Sequence, residues 1–515
     1  MTYNQLYFES KKLAGLHDPK TGIRVYTMLQ HPGEPAPAIA AYMAARYSRS
    51  PDSIFDIINE VQEKDVDAED RLGKIFNAYG HASVGDMAHL FVCIERVPML
   101  TAMRFFYLNP CQSGMERSTR YQDFSEPQIF NAFPTELPQP LREQWQQIML
   151  KHFQVYQDLE YVADELGKFY AVTESAKDRK ALAARTFDTL RYLIPWGTLT
   201  NFGAIMSARD WSTYIGLMRG STQVAERTVG DMLYHLLGGV DQKLLEAGYV
   251  PEAAALIRHA EPNSTAHNTV LQLKGLCKKL ADQPLPRINC AYGTARTALS
   301  EHVFMLSKHT SRPTLTRLAE YAELFAPTIF ANHDQYTSLG PIGQHGAIQI
   351  RGRTDMGTLK DLNRHRSLEH FIPFLENTVD WDMLLKQGFE HCPYLSDPAF
   401  NLTRQILHAH YRRTYEAIYA WAKAAQSYLS SESLLEYVRY ALPHAHSTEY
   451  VFYGSINDLN YTLRTRHRPG GHISYRSLMS DWAQSLSELD RFWQPLAEHL
   501  PSPDPLDKQQ FFDRS

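Results

Sequence analysis

The residues best suited to chemistry fall in four short runs. Gly80-His81-Ala82-Ser83 sets an imidazole and a hydroxyl two positions apart on a turn, where they could contact a cofactor or cap a helix. Ser113 and the run Glu116-Arg117-Ser118-Thr119-Arg120-Tyr121 pack a carboxylate, hydroxyls and guanidiniums together. Guanidinium meets phosphate oxygens bidentately, so this stretch can hold a phosphate; the alternative is a solvated charged turn. Asp361-Leu362-Asn363-Arg364-His365-Arg366, with Arg351 and Arg353 nearby, offers cations to a flavin or phosphate, or forms a surface charge run. Arg464-Thr465-Arg466-His467-Arg468-Pro469-Gly470-Gly471-His472, followed by Arg476, adds glycines that allow close backbone approach to an anion, or it is a surface loop.

Other reactive side chains are less well placed. His408/His410 and His444/His446 are two apart, whereas helical metal ligands share a face at i, i+4. No carboxylate-rich cluster completes such a site, so no metal is expected. Cys111 follows Asn109-Pro110 and is either a nucleophile or a buried hydrophobe. The five cysteines are scattered with no C-x-x-C, which suits a reducing cytoplasm and excludes a zinc ribbon or disulfide scaffold.

These runs need elements to hold them. Ile23–Leu29 reads as a strand and Ala38–Arg46, after Pro37, as a helix. Leu141–Leu166 and Leu402–Tyr428 carry a helical apolar period. Breaker residues concentrate between Asn263 and Arg287, and the tail after Pro501 is expected to fray. The 515 residues have room for two to four domains at roughly 150 residues each. A net charge of −5 gives no global field for nucleic acid, so anion sites must come from local arginines. No run of about eighteen apolar residues suggests a membrane span, and the N-terminus lacks a signal-peptide apolar core, so a cytoplasmic protein is expected.

The chain also repeats itself. Arg191-Tyr-Leu-Ile-Pro195 returns 248 residues later as Arg439-Tyr-Ala-Leu-Pro443. Ser207-Ala-Arg-Asp210 returns at the same shift as Ser455-Ile-Asn-Asp458. Leu217-Met-Arg219 and Leu463-Arg-Thr-Arg466 follow at a slightly different one. A tandem pair is expected: a first repeat over 1–265, a linker over 266–284, a second repeat over 285–500 and a tail over 501–515.

The order of these runs resembles the flavin-dependent thymidylate synthases, the ThyX family. That family has a Gly-His-x-Ser turn, the signature R-H-R-x-x-S-x-N-E-x-S-x-R-Y, then A-R-x-x-L-P, N-A-R and a helix-end arginine. In the first half the signature's distal part survives as Ser113, Glu116, Ser118, Arg120 and Tyr121, with Met115 for asparagine and Leu108-Asn109-Pro110 for its cationic head. In the second half the head survives as Arg364-His365-Arg366 and the distal part is lost over Ser367–Phe371. His81 and Ser83 have Arg296 and Ala298 as counterparts. The losses are complementary, as in a duplicated enzyme keeping one complete composite site.

The resemblance implies an α+β fold, with two ThyX-like repeats, each a small sheet packed against long helices. It implies reductive methylation of dUMP to dTMP with FAD as cofactor and NADPH and methylenetetrahydrofolate as co-substrates. It assigns His81, Ser83, Glu116, Arg209, Arg364, His365 and Arg366 to the flavin, and Ser118, Arg120, Arg191 and Arg439 to the nucleotide. Arg466 and Arg219 would stand near the uracil as catalytic arginines, stabilising charge that develops there. Ser207 and Ser455 replace the asparagine of N-A-R. A homodimer imitating the family's tetramer is expected. The alternatives are a flavoenzyme for another pyrimidine nucleotide, a non-catalytic nucleotide- or flavin-binding paralogue, and nucleic-acid binding by the 464–476 loop.

Overall fold

The computed structural model describes residues 3–8, 13–28, 37–47, 50–63, 82–108, 113–120, 123–265, 268, 288–292, 323–324, 326–330, 341–344 and 346–513. It is an α+β protein with two antiparallel sheets set against helices. The first sheet runs β1 (Asn4–Phe8), β2 (Leu13–His17), β3 (Arg24–Met28), β4 (His89–Pro98), β6 (Leu199–Ser207), β5 (Ser113–Glu116). The second runs β7 (Ile288–Tyr292), β8 (Ile348–Asp355), β10 (Ser447–Gly454), β9 (Glu369–Phe371). Its order matches that of β3-β4-β6-β5. The helices around the site are α1 (Met99–Leu108), α2 (Gln139–Asp158), α3 (Ala176–Leu190) and α4 (Ala208–Arg219) in the first half. The second half supplies α5 (Met356–Leu362), α6 (Asn401–Ala425), α7 (Ser431–Ala441), α8 (Ile456–His467) and α9 (Ile473–Leu489); α10 (Lys508–Phe512) closes the chain.

The repeated sequences do repeated structural work. Ser207 and Ser455 are the N-caps of α4 and α8, their hydroxyls accepting from the backbone N–H of Asp210 and Asp458. Each hydroxyl also donates to its own aspartate, at 2.7 and 2.6 Å. This is the local bonding that starts a helix after a strand. The two Arg-Tyr-x-x-Pro segments meet each other. Trp196 N–H donates to Leu442 O at 3.0 Å, and His444 N–H donates to Ile194 O at 2.9 Å. Gly197 N–H donates to Tyr440 O at 2.8 Å, and Ala445 N–H to Tyr192 O at 3.0 Å. Each bond becomes its partner under the 248-residue shift, so the two segments are related by a local pseudo-twofold axis. Pro195 and Pro443 bridge, and the Trp196 and His444 rings stack at 4.3 Å. Gly197 is needed here, because a Cβ would meet Tyr440 Cβ at 2.9 Å.

α1 and α5 begin at matching places. Met99 N–H donates to Thr198 O and Met356 N–H to His446 O, both at 2.9 Å. Arg104 and Asp361 therefore occupy equivalent helix positions. This symmetry supports our proposal of two repeats; the expected linker lies almost wholly outside the described residues.

Some elements differ from expectation. The helical period over Leu141–Leu166 belongs to two helices, α2 and Val162–Phe169, parted by a turn. The tail does not fray over 501–513: Phe511 stacks on Tyr170 at 3.8 Å, and Arg185 donates to Phe511 O and Asp513 O. Burial of an aromatic ring outweighs the breaker-rich sequence before it.

Candidate functional site

Beside the pseudo-axis, both halves deliver charge to one place. The sequence after α5 turns sharply and carries Arg364, His365 and Arg366; the helix itself supplies Lys360 and Asp361. α8 ends in Arg466, and α9 begins with His472 as N-cap and Tyr475 in its first turn. From the first half come Glu116 at the end of β5, Arg120 in the following turn, Asp188 on α3 and Arg191 just after it.

Arg191 is 1% exposed and donates from Nη1 to Asp361 at 2.8 Å; its Nε and Nη2 are buried without a hydrogen-bond partner. Burial opposes its charge, but Asp361 and Asp188 outweigh that and hold the guanidinium above its usual range. Burial likewise opposes ionisation of Asp361. Arg191, Arg364, Arg120 and Arg466 reverse this and hold the carboxyl well below the usual range. Arg120 grips Asp188 with two bonds, at 2.6 and 3.0 Å, and also donates to Tyr475 Oη and Gly470 O. Asp188 takes a further bond from Arg185, and its backbone carbonyl pairs with His472 Nε2 at 3.0 Å.

The other contacts also cross between halves. Lys360 pairs with Glu116 at 2.5 Å, both almost fully buried. Burial pushes the Lys360 ammonium down, opposed by Glu116. Arg366 donates from Nη2 to Gly114 O at 3.0 Å and leaves a buried Nε without a partner. His365 is buried; one ring nitrogen pairs with Thr462 and the other accepts from Arg466 Nε. Burial, then Arg466, holds His365 neutral far below its usual range. Arg364 is exposed and makes no hydrogen bond among the described residues.

The structure thus brings Glu116, Arg120, Arg191, Arg364, His365, Arg366 and Arg466 together. Ser118 stands beside Arg120 and accepts its N–H at 3.2 Å. Arg439 is elsewhere, at the pseudosymmetric counterpart of Arg191, donating to Phe374 O, Glu376 O and Asn377 Oδ1. Burial, then the neighbouring Arg104, pushes its guanidinium down. Arg104 is itself clamped by Glu226. That counterpart opens on a cavity of about 140 Å³ lined by Arg104, Leu108, Glu226, Glu376 and Asn377.

Arg219 also stays apart, donating to Asp231 and Ala260 O beneath the Tyr234 ring. Arg209 forms an exposed pair with Asp86 at 3.0 Å. His81 lies outside the described residues; Ser83 falls in the 3-10 turn Ala82–Met87 with its side chain undescribed. The glycine loop behaves differently from expectation, since Gly470 and Gly471 offer carbonyls to Arg120 and Arg185 instead of N–H groups to an anion. The paired histidines have protein partners: His410 bonds His152, His444 bonds Ile194 O and His446 bonds Tyr415. A larger cavity of about 640 Å³, lined by Tyr192, Arg353, Asp355, Glu390, Ser474 and Asp481 among others, includes none of the clustered arginines in its wall.

Lys360, Asp188 and Tyr475 escaped the sequence reading. Asp188 had a signal: Glu436 stands 248 residues later, so both copies place a buried acid three positions before their arginine.

A family model described as thymidylate synthase complementing protein matches residues 27–237. Over 449 residues the chain is 23% identical to a UPF0159 protein of Chlamydia muridarum (strain MoPn / Nigg), covering 81% of this chain and 78% of that protein. A UPF0159 protein of Chlamydia pneumoniae is 22% identical over 458 residues, covering 83% and 79%. Among solved structures, the UMP/dUMP methylase PolB from Streptomyces cacaoi, bound with 5-Br dUMP, is similar at 14% identity with a TM-score of 0.28. The match covers 42% of this chain and 97% of that one.

Proposed function

We propose that the chain is a flavin-dependent methylase of pyrimidine nucleotides, converting dUMP to dTMP with methylenetetrahydrofolate and NADPH. The observation that carries this reading is the cluster between the halves, where cations from both outnumber the carboxylates among them. Arg191 and Arg366 there keep buried donors without partners. Such donors are costly unless a ligand or water satisfies them. An anionic flavin nucleotide or nucleoside monophosphate has the acceptors and the charge to do so. Within a thymidylate synthase complementing protein match that stops at residue 237, the cationic head is missing; Arg364-His365-Arg366 supplies it from the second half.

The residues present suit FAD. Arg364 and Arg366 would hold its pyrophosphate at the open side of the cluster. His365 would contribute as a neutral imidazole, fixed by Thr462 and Arg466. Bound FAD would supply the hydride chemistry; the chain supplies orientation and charge. Glu116 would reach the ligand only alongside Lys360, and Arg466 would place a guanidinium where charge develops on a uracil ring. In solution we propose a homodimer, giving four repeats per assembly.

The test is the colour of the purified protein. Wild type should show a flavin spectrum, and Arg364→Ala with Arg366→Ala should give colourless but folded protein. Full flavin occupancy in that double variant would sink the assignment. Rescue of a thymidine-requiring strain then distinguishes dUMP methylation from action on another pyrimidine nucleotide. A second reading, a non-catalytic nucleotide- or flavin-binding paralogue, is favoured by one observation: Arg120 and Arg191 are already engaged by Asp188 and Asp361. A yellow protein that binds dUMP but fails to rescue would support it.

A further inference from the structure

We propose that Asp361 determines which part of a ligand enters the cluster: as an internal carboxylate on Arg191, it reserves the interior for an uncharged acceptor and leaves a ligand's anionic group to Arg364 and Arg366 at the rim. The inference rests on the nucleotide reading above for the ligand's identity, and names how such a ligand is oriented.

Every buried carboxylate of the interior already holds a cation. Asp361 takes Arg191 at 2.8 Å and Asp188 takes Arg120 through two bonds, all four side chains buried. Glu116 likewise meets Lys360. A phosphate dianion entering here would lie beside buried carboxylates, and like charges in a poorly solvated interior repel strongly. What the interior lacks is acceptors. Arg191 Nε and Nη2 point to nothing that accepts them among the described residues. A ring carbonyl satisfies such donors without adding charge.

The rim has the opposite character. Arg364 is exposed without a hydrogen bond among the described residues, and Arg366 spends one bond on Gly114 O. Neither has an ion-pair partner among the described residues. An anion placed there gains guanidinium contacts without displacing a carboxylate. The ligand class is therefore a nucleotide whose carbonyl-bearing ring points inward and whose phosphate points outward.

Pseudosymmetry shows that the acid is a feature of this site alone. The equivalent helix position in the other half is Arg104, held by Glu226, and the arginine equivalent to Arg191 is bonded there by backbone carbonyls and Asn377. The charge at this position is reversed between the two places.

Calorimetric titration of the full chain with inorganic phosphate tests the assignment. Asp361→Asn removes the negative charge beside Arg191 and should bind phosphate at least tenfold more tightly than wild type, and adding Arg191→Gln should abolish the gain. Asp361→Glu keeps the carboxylate and should match wild type. Unchanged or weaker phosphate binding in folded Asp361→Asn overturns the proposal. Should that variant not fold, the ranking of two others decides. Arg364→Ala with Arg366→Ala should lose phosphate binding tenfold or more, and Arg191→Lys should stay within about twofold; the reverse ranking overturns it. Absence of flavin colour would defeat the functional reading while leaving the phosphate result intact.

Discussion

Arg120 carries a charge into the interior and is met there by the chain's own acid. Its bidentate bond to Asp188, with both side chains nearly inaccessible, makes it part of the frame on which the cluster stands. Removing one member of a buried pair costs about 3–5 kcal/mol, and Arg185 still contacts Asp188, so Arg120→Ala should destabilise the protein by about 3 kcal/mol, the low end of that range. Urea unfolding measures this; a loss under 1 kcal/mol would show that the pair is weak or hydrated. Single residues were legible where charge is dense along the chain, as at Glu116–Arg120 and Arg364–Arg366. Asp188 and Lys360 were not, since their partners lie 68 and 244 residues away in sequence. Arg439 was read as sharing a ligand with Arg120 because it matches Arg191 in motif. Sequence identity of a motif says nothing about which of two symmetric places it occupies.

At the scale of elements, the recurring Ser-x-x-Asp is a helix start before it is anything else. In α8 the reciprocal bonds between Ser455 and Asp458 form a capping box at the base of the helix that ends in Arg466. Ser455→Ala should cost about 1 kcal/mol in denaturant unfolding. The positions flanking that helix were visible in the sequence as a motif shared with the first half, and both long helical periods gave real helices. The interruption after α2 was invisible because the residues across it keep an apolar rhythm. The docking of α10 was invisible because its anchor, Tyr170, is more than 300 residues away in sequence. Gly197 belongs to this scale too. A Cβ there meets Tyr440 Cβ and Met149 Cε at 2.9 Å, so Gly197→Ala should cost roughly 1–3 kcal/mol by overpacking. The thermal midpoint should fall accordingly, and an unchanged midpoint would mean the facing segments can separate.

Across the whole molecule, histidines gather in the buried region around the pseudo-axis and the cluster. His444, His446 and His472 are buried, and burial pushes each down to about 3. The unfolded chain protonates its histidines near 6.5 while the folded one does not. Stability is therefore fully present above about pH 6.5 and is lost progressively as pH falls from there toward the folded values. By pH 5 each site forgoes about 2 kcal/mol at 1.36 kcal/mol per unit, and three together approach a domain's total stability. Thermal midpoints should drop steeply between pH 6.5 and 5, and a flat profile would refute this. Pseudosymmetry makes a further claim about number. The cationic head occurs once, so flavin quantified against protein should give one per chain, and a ratio near two would mean that both places bind it. The fixed shift in the sequence is the ground for proposing two repeats, whereas the exchange of backbone bonds across the axis depends on contacts no local pattern encodes. Those bonds also impose a delay during synthesis. Gly197 must wait for Tyr440, and Tyr192 for Ala445, to leave the ribosome. At about 5–20 residues per second that interval lasts roughly 12–50 seconds. Through it the nascent first half leaves its turn unpaired and the Trp145 side of α2 without the Tyr437 that later covers it.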